Sequence, residues 1–205
     1  MAKLIHIVGV SGTGKTLTHD ALKEKLTAEG YKVEALVEPG PLRDFAKNYR
    51  LSQNKNSWTE AAIFTTDRLM IYQEKVFPRI NEKDLVFLSS RSLFDTFVYQ
   101  GILGGVDLEV IKKMNSPIPF PDLALCLTVE GKVGYKRILE RNIISGEQTS
   151  KNETPEAIDR LSAHYMELPK HFPQSNIEVI DTTNLKMPEQ IKICHDKIIG
   201  ILNGK

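Results

Sequence analysis

Apolar and polar positions follow two rhythms along this chain. Short apolar runs, many of them β-branched, recur at 4–8 (LIHIV), 31–37, 85–89 (LVFLS), 123–129 (LALCLTV) and 176–180 (NIEVI). Runs of this length predict buried strands of a parallel sheet, whose two covered faces leave no polar alternation. Between them, apolar residues return at helical spacing. Leu17, Ala21, Leu22 and Leu26 share one face after Thr16, with Lys23, Glu24, Lys25 and Glu29 opposite and Gly30 as a stop. Further helices are predicted over 42–51, 57–80, 92–101, 107–115, 131–144, 155–171 and 187–203. Pro78 falls near the end of the long one, and Pro117, Pro119 and Pro121 mark a loop. Strict alternation of strand and helix predicts an α/β fold with helices on both faces of the sheet. Ligands of such sheets bind beyond the carboxyl ends of the strands, so the residues just after each strand are the candidates for chemistry.

After the first strand comes Gly9-Val10-Ser11-Gly12-Thr13-Gly14-Lys15-Thr16, matching G-x-x-x-x-G-K-[ST] at each specified position. Glycines let the backbone curl so that successive N–H groups face an anion, and the following helix N-terminus adds positive partial charge there. The amides of 9–14 cradle phosphates, Lys15 reaches the outer ones, and the Thr16 hydroxyl can ligate magnesium. The alternative is an ordinary glycine-rich turn with a solvated lysine. A strand before the loop and a helix after it argue for a nucleoside triphosphate.

Glu38-Pro39-Gly40-Pro41-Leu42-Arg43 comes after the second strand, Ser90-Arg91-Ser92 with Asp95 after the third, and Glu130 with Arg137 and Arg141 after the fourth. Arginines and carboxylates thus converge on the edge that carries the phosphate loop, the composition that phosphoryl transfer uses to position and neutralise charge. Each has a plainer reading. Arg137 and Arg141 share a helix with Lys132, Lys136 and Glu140 and could form a solvated face, Asp95 could support a helix start, and Phe64 could be core. The stretch 144–154, polar and aperiodic, is either a flap over the phosphates or a surface loop. With 205 residues, 41% hydrophobic and 26% charged, the chain suits one domain, 1–205. A net charge of +1 gives no field for nucleic acid or an anionic membrane. Cys126 and Cys194 stand apart in apolar surroundings, as buried free thiols of a reducing cytoplasm would. No signal peptide precedes the first strand and no apolar run would span a bilayer.

These motifs, in order and nearly end to end, resemble the thymidylate kinases of the P-loop nucleoside monophosphate kinase group. The resemblance is carried by GVSGTGKT, Glu38-Pro39-Gly40, Phe64-Thr65-Thr66-Asp67-Arg68, the Arg91 region with Asp95, Tyr99-Gln100-Gly101, Pro121-Asp122-Leu123 and Arg137. It implies a three-layer P-loop fold with a five-stranded parallel sheet in the order 2-3-1-4-5 and a small lid. It also implies ATP with Mg2+, dTMP as acceptor, and a homodimer. Phe64 would stack on the thymine, with Arg68 and Gln100 at its edge. Glu38 and Arg43 (or Arg50) would surround the acceptor phosphate, with Asp95 and Tyr99 nearby. Arg91 would bridge the two phosphate groups, and Arg137 and Arg141 would flank ATP. Apolar residues at 57–77 and 92–103, including Trp58, Phe64, Ile71, Phe94, Phe97 and Val98, are the expected dimer surface, a buried core helix being the alternative.

Three departures stand out. Ser90-Arg91-Ser92 replaces the family's Asp-Arg-Tyr, leaving Ser90 to reach magnesium through water. The lid carries Lys151 where an arginine is expected, and Pro41-Leu42 comes after EPG in place of Gly-Gly-Thr. Glu38 is the expected substitute for the missing Asp, and Arg137 or Arg141 for the missing lid arginine. Ser-Arg-Ser is also similar to the Glu-Arg-Ser of deoxynucleoside kinases, in which Glu38 would be the base. A nucleotide-binding protein that has lost catalysis is the third possibility.

Overall fold

The computed structural model describes residues 1–146 and 148–204. Five strands, β1 (Lys3–Gly9), β2 (Lys32–Leu36), β3 (Leu85–Ser89), β4 (Leu123–Thr128) and β5 (Ile177–Asp181), form one parallel sheet in the order β2-β3-β1-β4-β5. This is the order that the resemblance implies. The helices are α1 (Lys15–Ala28), α2 (Arg43–Leu51), α3 (Ser57–Ile71), α4 (Leu93–Thr96), α5 (Leu108–Met114), α6 (Gly131–Ser145), α7 (Pro155–Met166), α8 (Leu168–His171) and α9 (Met187–Leu202).

The pleat sorts side chains to two faces. Ile5 and Ile7 of β1 join Leu123, Leu125 and Leu127 of β4 beneath Leu22 and Leu26 of α1 and Ile198 of α9. Val8, Ala124 and Cys126 face the opposite way, into a cluster with Phe94, Phe97, Val98, Ile158, Leu161 and Phe172. Asp122 fixes the register of the central pair by accepting from the Leu4 backbone N–H and the Lys3 ammonium, each at 2.8 Å. No described helix is long and apolar enough to cross a membrane.

Three helices predicted as single elements divide. The run 57–80 is α-helical only to Ile71, then widens into a π turn (Tyr72–Val76) and tightens into a 3-10 turn (Phe77–Arg79). Pro78 has no N–H and its ring crowds the carbonyl four residues back, so the ladder cannot run through it. The run 92–101 becomes α4 and a π turn (Phe97–Ile102) carrying Tyr99 and Gln100. The run 155–171 breaks before Pro169. Phe94, Phe97, Val98 and Ile71 are all core residues. Of the apolar residues expected at a dimer surface, Trp58 remains largely exposed.

Candidate active site

The phosphate loop leaves β1 through Gly9 at φ +137° and reaches α1 through Gly14, a left-handed residue at its N-cap. Gly12, at φ +85°, passes so close to α6 that a Cβ would stand 2.5 Å from the Gly134 carbonyl oxygen. Only glycine fits there, and the contact seats the loop against α6. Gln190 of α9 holds it from the other side, donating to the Thr13 carbonyl at 2.8 Å and to the Thr18 hydroxyl at 2.7 Å. Thr13 Oγ1 and Lys15 Nζ both donate to the Val10 carbonyl, at 2.9 and 2.7 Å. Burial and then Arg91 lower the Lys15 ammonium from 10.5 to about 8. A half-buried cation resting on a neutral carbonyl is primed for an anion. Ser11 lies in the same curl, and Thr16 exposes its hydroxyl at the start of α1.

A second pocket opens between the ends of β2 and β3, lined by Glu38, Arg50, Phe64, Arg68, Arg91, Asp95, Tyr99 and Gln100, among others. Beneath it lies a buried ion pair. Arg68, 2% exposed, forks onto Glu38: Nη2 donates to Oε2 at 2.7 Å and Nε to the same carboxylate at 2.9 and 3.0 Å. Its other bonds reach Asn115 at 2.7 Å and Thr96 at 3.1 Å. Four of the five guanidinium N–H groups are thus engaged, and one on Nη1 remains for a ligand. Burial pushes the Glu38 carboxyl up, against the pull of Arg68.

This pairing bears on one expectation. Glu38 is not turned toward a metal or a hydroxyl, since both its oxygens accept from Arg68. Asp95 is similarly occupied: it caps Ser92 N–H at 2.8 Å and accepts from Tyr165 Oη at 2.6 Å, so it builds the pocket wall from within a capping box. Arg137 also has another task. Its guanidinium donates to the carbonyls of Gly12, Thr182, Thr183 and Leu185 and to the Thr182 hydroxyl, pinning the loop after β5 to the phosphate loop. Its terminal donors thus rest on the loops around the phosphate site, four backbone carbonyls and one hydroxyl. Arg141 bonds Asn142 and reaches Glu153 at 3.4 Å, and Glu153 in turn holds Ser150 N–H. It therefore ties the end of α6 to the expected lid, of which Ile144 and Ser145 belong to α6 and Glu147 lies outside the described residues.

Arg43 is exposed and does not line the pocket, whereas Arg50 does, with its guanidinium 4.7 Å from the centroid of the Phe64 ring. The two are seven apart on α2, so spacing alone could not choose between them. Arg91 stands at φ +141°, a strained conformation for a side chain, after Ser90 N–H closes onto the Leu36 carbonyl. Lys15, Arg50 and Arg91 form a convergent field, and burial first, with Arg91 adding to it, lowers the pKa of both other cations. Two-phosphate recognition fits that field.

The family model for thymidylate kinase matches residues 7–193. The chain belongs to the thymidylate kinase family. A probable thymidylate kinase of Archaeoglobus fulgidus is 33% identical over 144 residues, 69% of this chain and 72% of that protein. The thymidylate kinase of Staphylococcus haemolyticus is 30% identical over 193 residues, covering 89% of this chain and 91% of its own. The crystal structure of thymidylate kinase from Ehrlichia chaffeensis shares the fold, with a TM-score of 0.68 and 22% identity over 98% of both chains. The chain is accordingly a nucleoside monophosphate kinase, a transferase with nucleotide-binding machinery.

Three residues that build this thymidylate kinase-family site, Asn115, Gln190 and Glu60, were not singled out from the sequence. Asn115 buttresses Arg68. Asp67, part of the Phe64–Arg68 motif, accepts from the Gly40 and Leu42 N–H groups at 2.8 and 2.7 Å. A signal existed for Glu60 alone, which lies one helical turn before Phe64 and so shares its face.

Proposed function

We propose that this site transfers the γ-phosphoryl group of ATP to the 5′-phosphate of dTMP, giving dTDP and ADP. The observation that carries the reading is a phosphate loop and a base-sized pocket joined by one field of cations. The loop amides from Gly9 to Gly14 would hold the ATP phosphates. Lys15 would leave the Val10 carbonyl for the outer phosphates, relieving its burial. Phe64 offers a face for the base, Arg68 one free N–H, and Tyr99 and Gln100 the adjoining wall. Arg91 would lie between donor and acceptor, where transferred charge develops, with Arg50 beside it at the acceptor phosphate.

The donors available suit magnesium. Thr16 supplies a hard oxygen at the phosphate loop and Ser90 a second, and no cluster of three His, Cys, Asp or Glu among the described residues suggests a different ion. Thr16 would hold the ion and Ser90 would reach it through water. Bound with ATP, magnesium would neutralise phosphate charge.

The engagement of Glu38 with Arg68 weighs against a nucleoside acceptor, which would need a free base there. A homodimer is proposed on Phe45, Leu51, Trp58 and Met70, large apolar side chains exposed on α2 and α3 or at their ends. Unpaired buried cysteines at 126 and 194 accord with a cytoplasmic protein. The test is coupled ADP release with magnesium, ATP and a panel of nucleoside monophosphates and free nucleosides. Turnover with dTMP is the expected result, and turnover only with nucleosides would sink the reading.

A further inference from the structure

Glu60 has no part in the transfer proposed above, yet it holds a residue of the base pocket. It sits one turn before Phe64 on α3, and its Oε2 accepts from Gln100 Nε2 at 2.9 Å. A carboxylate accepts and never donates, so the amide nitrogen of Gln100 must be the atom facing it. That single contact fixes which way round the amide lies. Gln100 is 4% exposed and lines the pocket, and its Oε1 has no hydrogen-bond partner among the described residues. It is not one of the sealed, unsatisfied atoms of the interior either. Its accessible side is the pocket. The second oxygen of Glu60 lies 3.7 Å from Arg50 Nε, so the carboxylate is held from two sides.

We infer that Glu60 is a specificity-determining positioning residue, orienting Gln100 so that a fixed acceptor faces the base. The inference rests on the proposed dTMP reaction and goes beyond it. A thymine or uracil edge presents carbonyl, N3–H and carbonyl. Gln100 Oε1 would accept from N3–H, while the second N–H of Gln100 Nε2 and the remaining N–H of Arg68 Nη1 are donors for carbonyls. Cytosine presents an unprotonated N3 and an amino group, which would set acceptor against acceptor. A site whose polar groups are fixed rejects a base that leaves them unpaired far more strongly than an apolar pocket can. Were the amide free to invert, the same pocket would accept either base.

The test measures dTMP and dCMP binding by titration calorimetry, which does not require turnover. The proteins are the wild type, Glu60→Gln and the exchanged pair Glu60→Gln with Gln100→Glu. The wild type is expected to prefer dTMP. Glu60→Gln, which can pair with either orientation of Gln100, is expected to lower the dTMP-to-dCMP affinity ratio by about tenfold. The exchanged pair puts a permanent acceptor at position 100, held by the amide at 60; it loses the Nε2 donor, so both nucleotides should bind more weakly, but it is expected to restore the ratio to within about threefold of wild type. ATP affinity and melting temperature serve as readouts of a merely structural role. An unchanged ratio in Glu60→Gln, equal losses for both ligands in that variant, a ratio the exchanged pair leaves low, or a wild type preferring dCMP would each overturn the inference. A wild type that binds dTMP selectively without phosphorylating it would instead sink the proposed reaction and leave the role of Glu60 supported.

Discussion

Lys15 shows how a residue can be held ready for a ligand. Its ammonium lies on the Val10 carbonyl and is lowered to about 8 by burial and by Arg91. The charged form is therefore disfavoured on folding. That penalty is fully present below pH 8 and is relieved as pH rises from there toward the unfolded value of 10.5. A nucleotide phosphate beside Nζ reverses the shift, so ADP binding should take up a proton at about pH 9 and close to none near neutrality. Calorimetry in buffers of different ionisation enthalpy measures this uptake, and Lys15→Met should remove it. Glu38 and Arg68 illustrate the opposite case, a charge pair already satisfied. Neither partner's commitment was legible in the sequence, because thirty positions separate them and nothing local marks a pair. The phosphate loop was legible because all its parts lie within eight consecutive residues.

The strands were readable as elements because uninterrupted apolar runs have few other uses, and the helices because their period survives surface variation. The π turns at Tyr72–Val76 and Phe97–Ile102 were not, since a single wide turn is too short to show a period of its own. α2 is the weakly held element. Ala46 is its one buried residue, and its entry is fixed by the Asp67 carboxylate on Gly40 and Leu42. Asp67→Ala would strand two N–H groups and should destabilise the fold by about 2 kcal/mol. It should also speed amide exchange across α2 and raise KM for the acceptor more than it lowers kcat, because Arg50 rides on that helix. Urea unfolding, hydrogen exchange and steady-state kinetics check the three parts. Equal losses in both kinetic constants would count against α2 as the carrier of Arg50.

Across the whole molecule, the sheet order comes from chain alternation together with the resemblance, whereas the surface does not. The apolar residues of 92–103 that suggested an interface are needed under the sheet, and only solvent exposure distinguishes Trp58 from them. Sedimentation should give about twice the 23.1 kDa chain mass, and Trp58→Glu should shift it toward the monomer. A single-chain mass for the wild type would remove the dimer. Tyr165 links distant parts in another way. It belongs to α7, just after the expected lid, and its hydroxyl bonds Asp95 in the helix leading to Tyr99 and Gln100. The donor and acceptor halves are therefore joined by a buried hydrogen bond.

Arg91 keeps its φ of +141° at the junction of those halves, where β3 ends. A library of all substitutions at this position, sorted once by a folding reporter and once by growth on the enzyme's activity, should yield opposed rankings. Glycine should rise to the top of the first, stabilising by about 1 kcal/mol through released backbone strain, and fall to the bottom of the second. Selection at this position would then be visible as a standing conflict, with arginine retained against the preference of its own backbone.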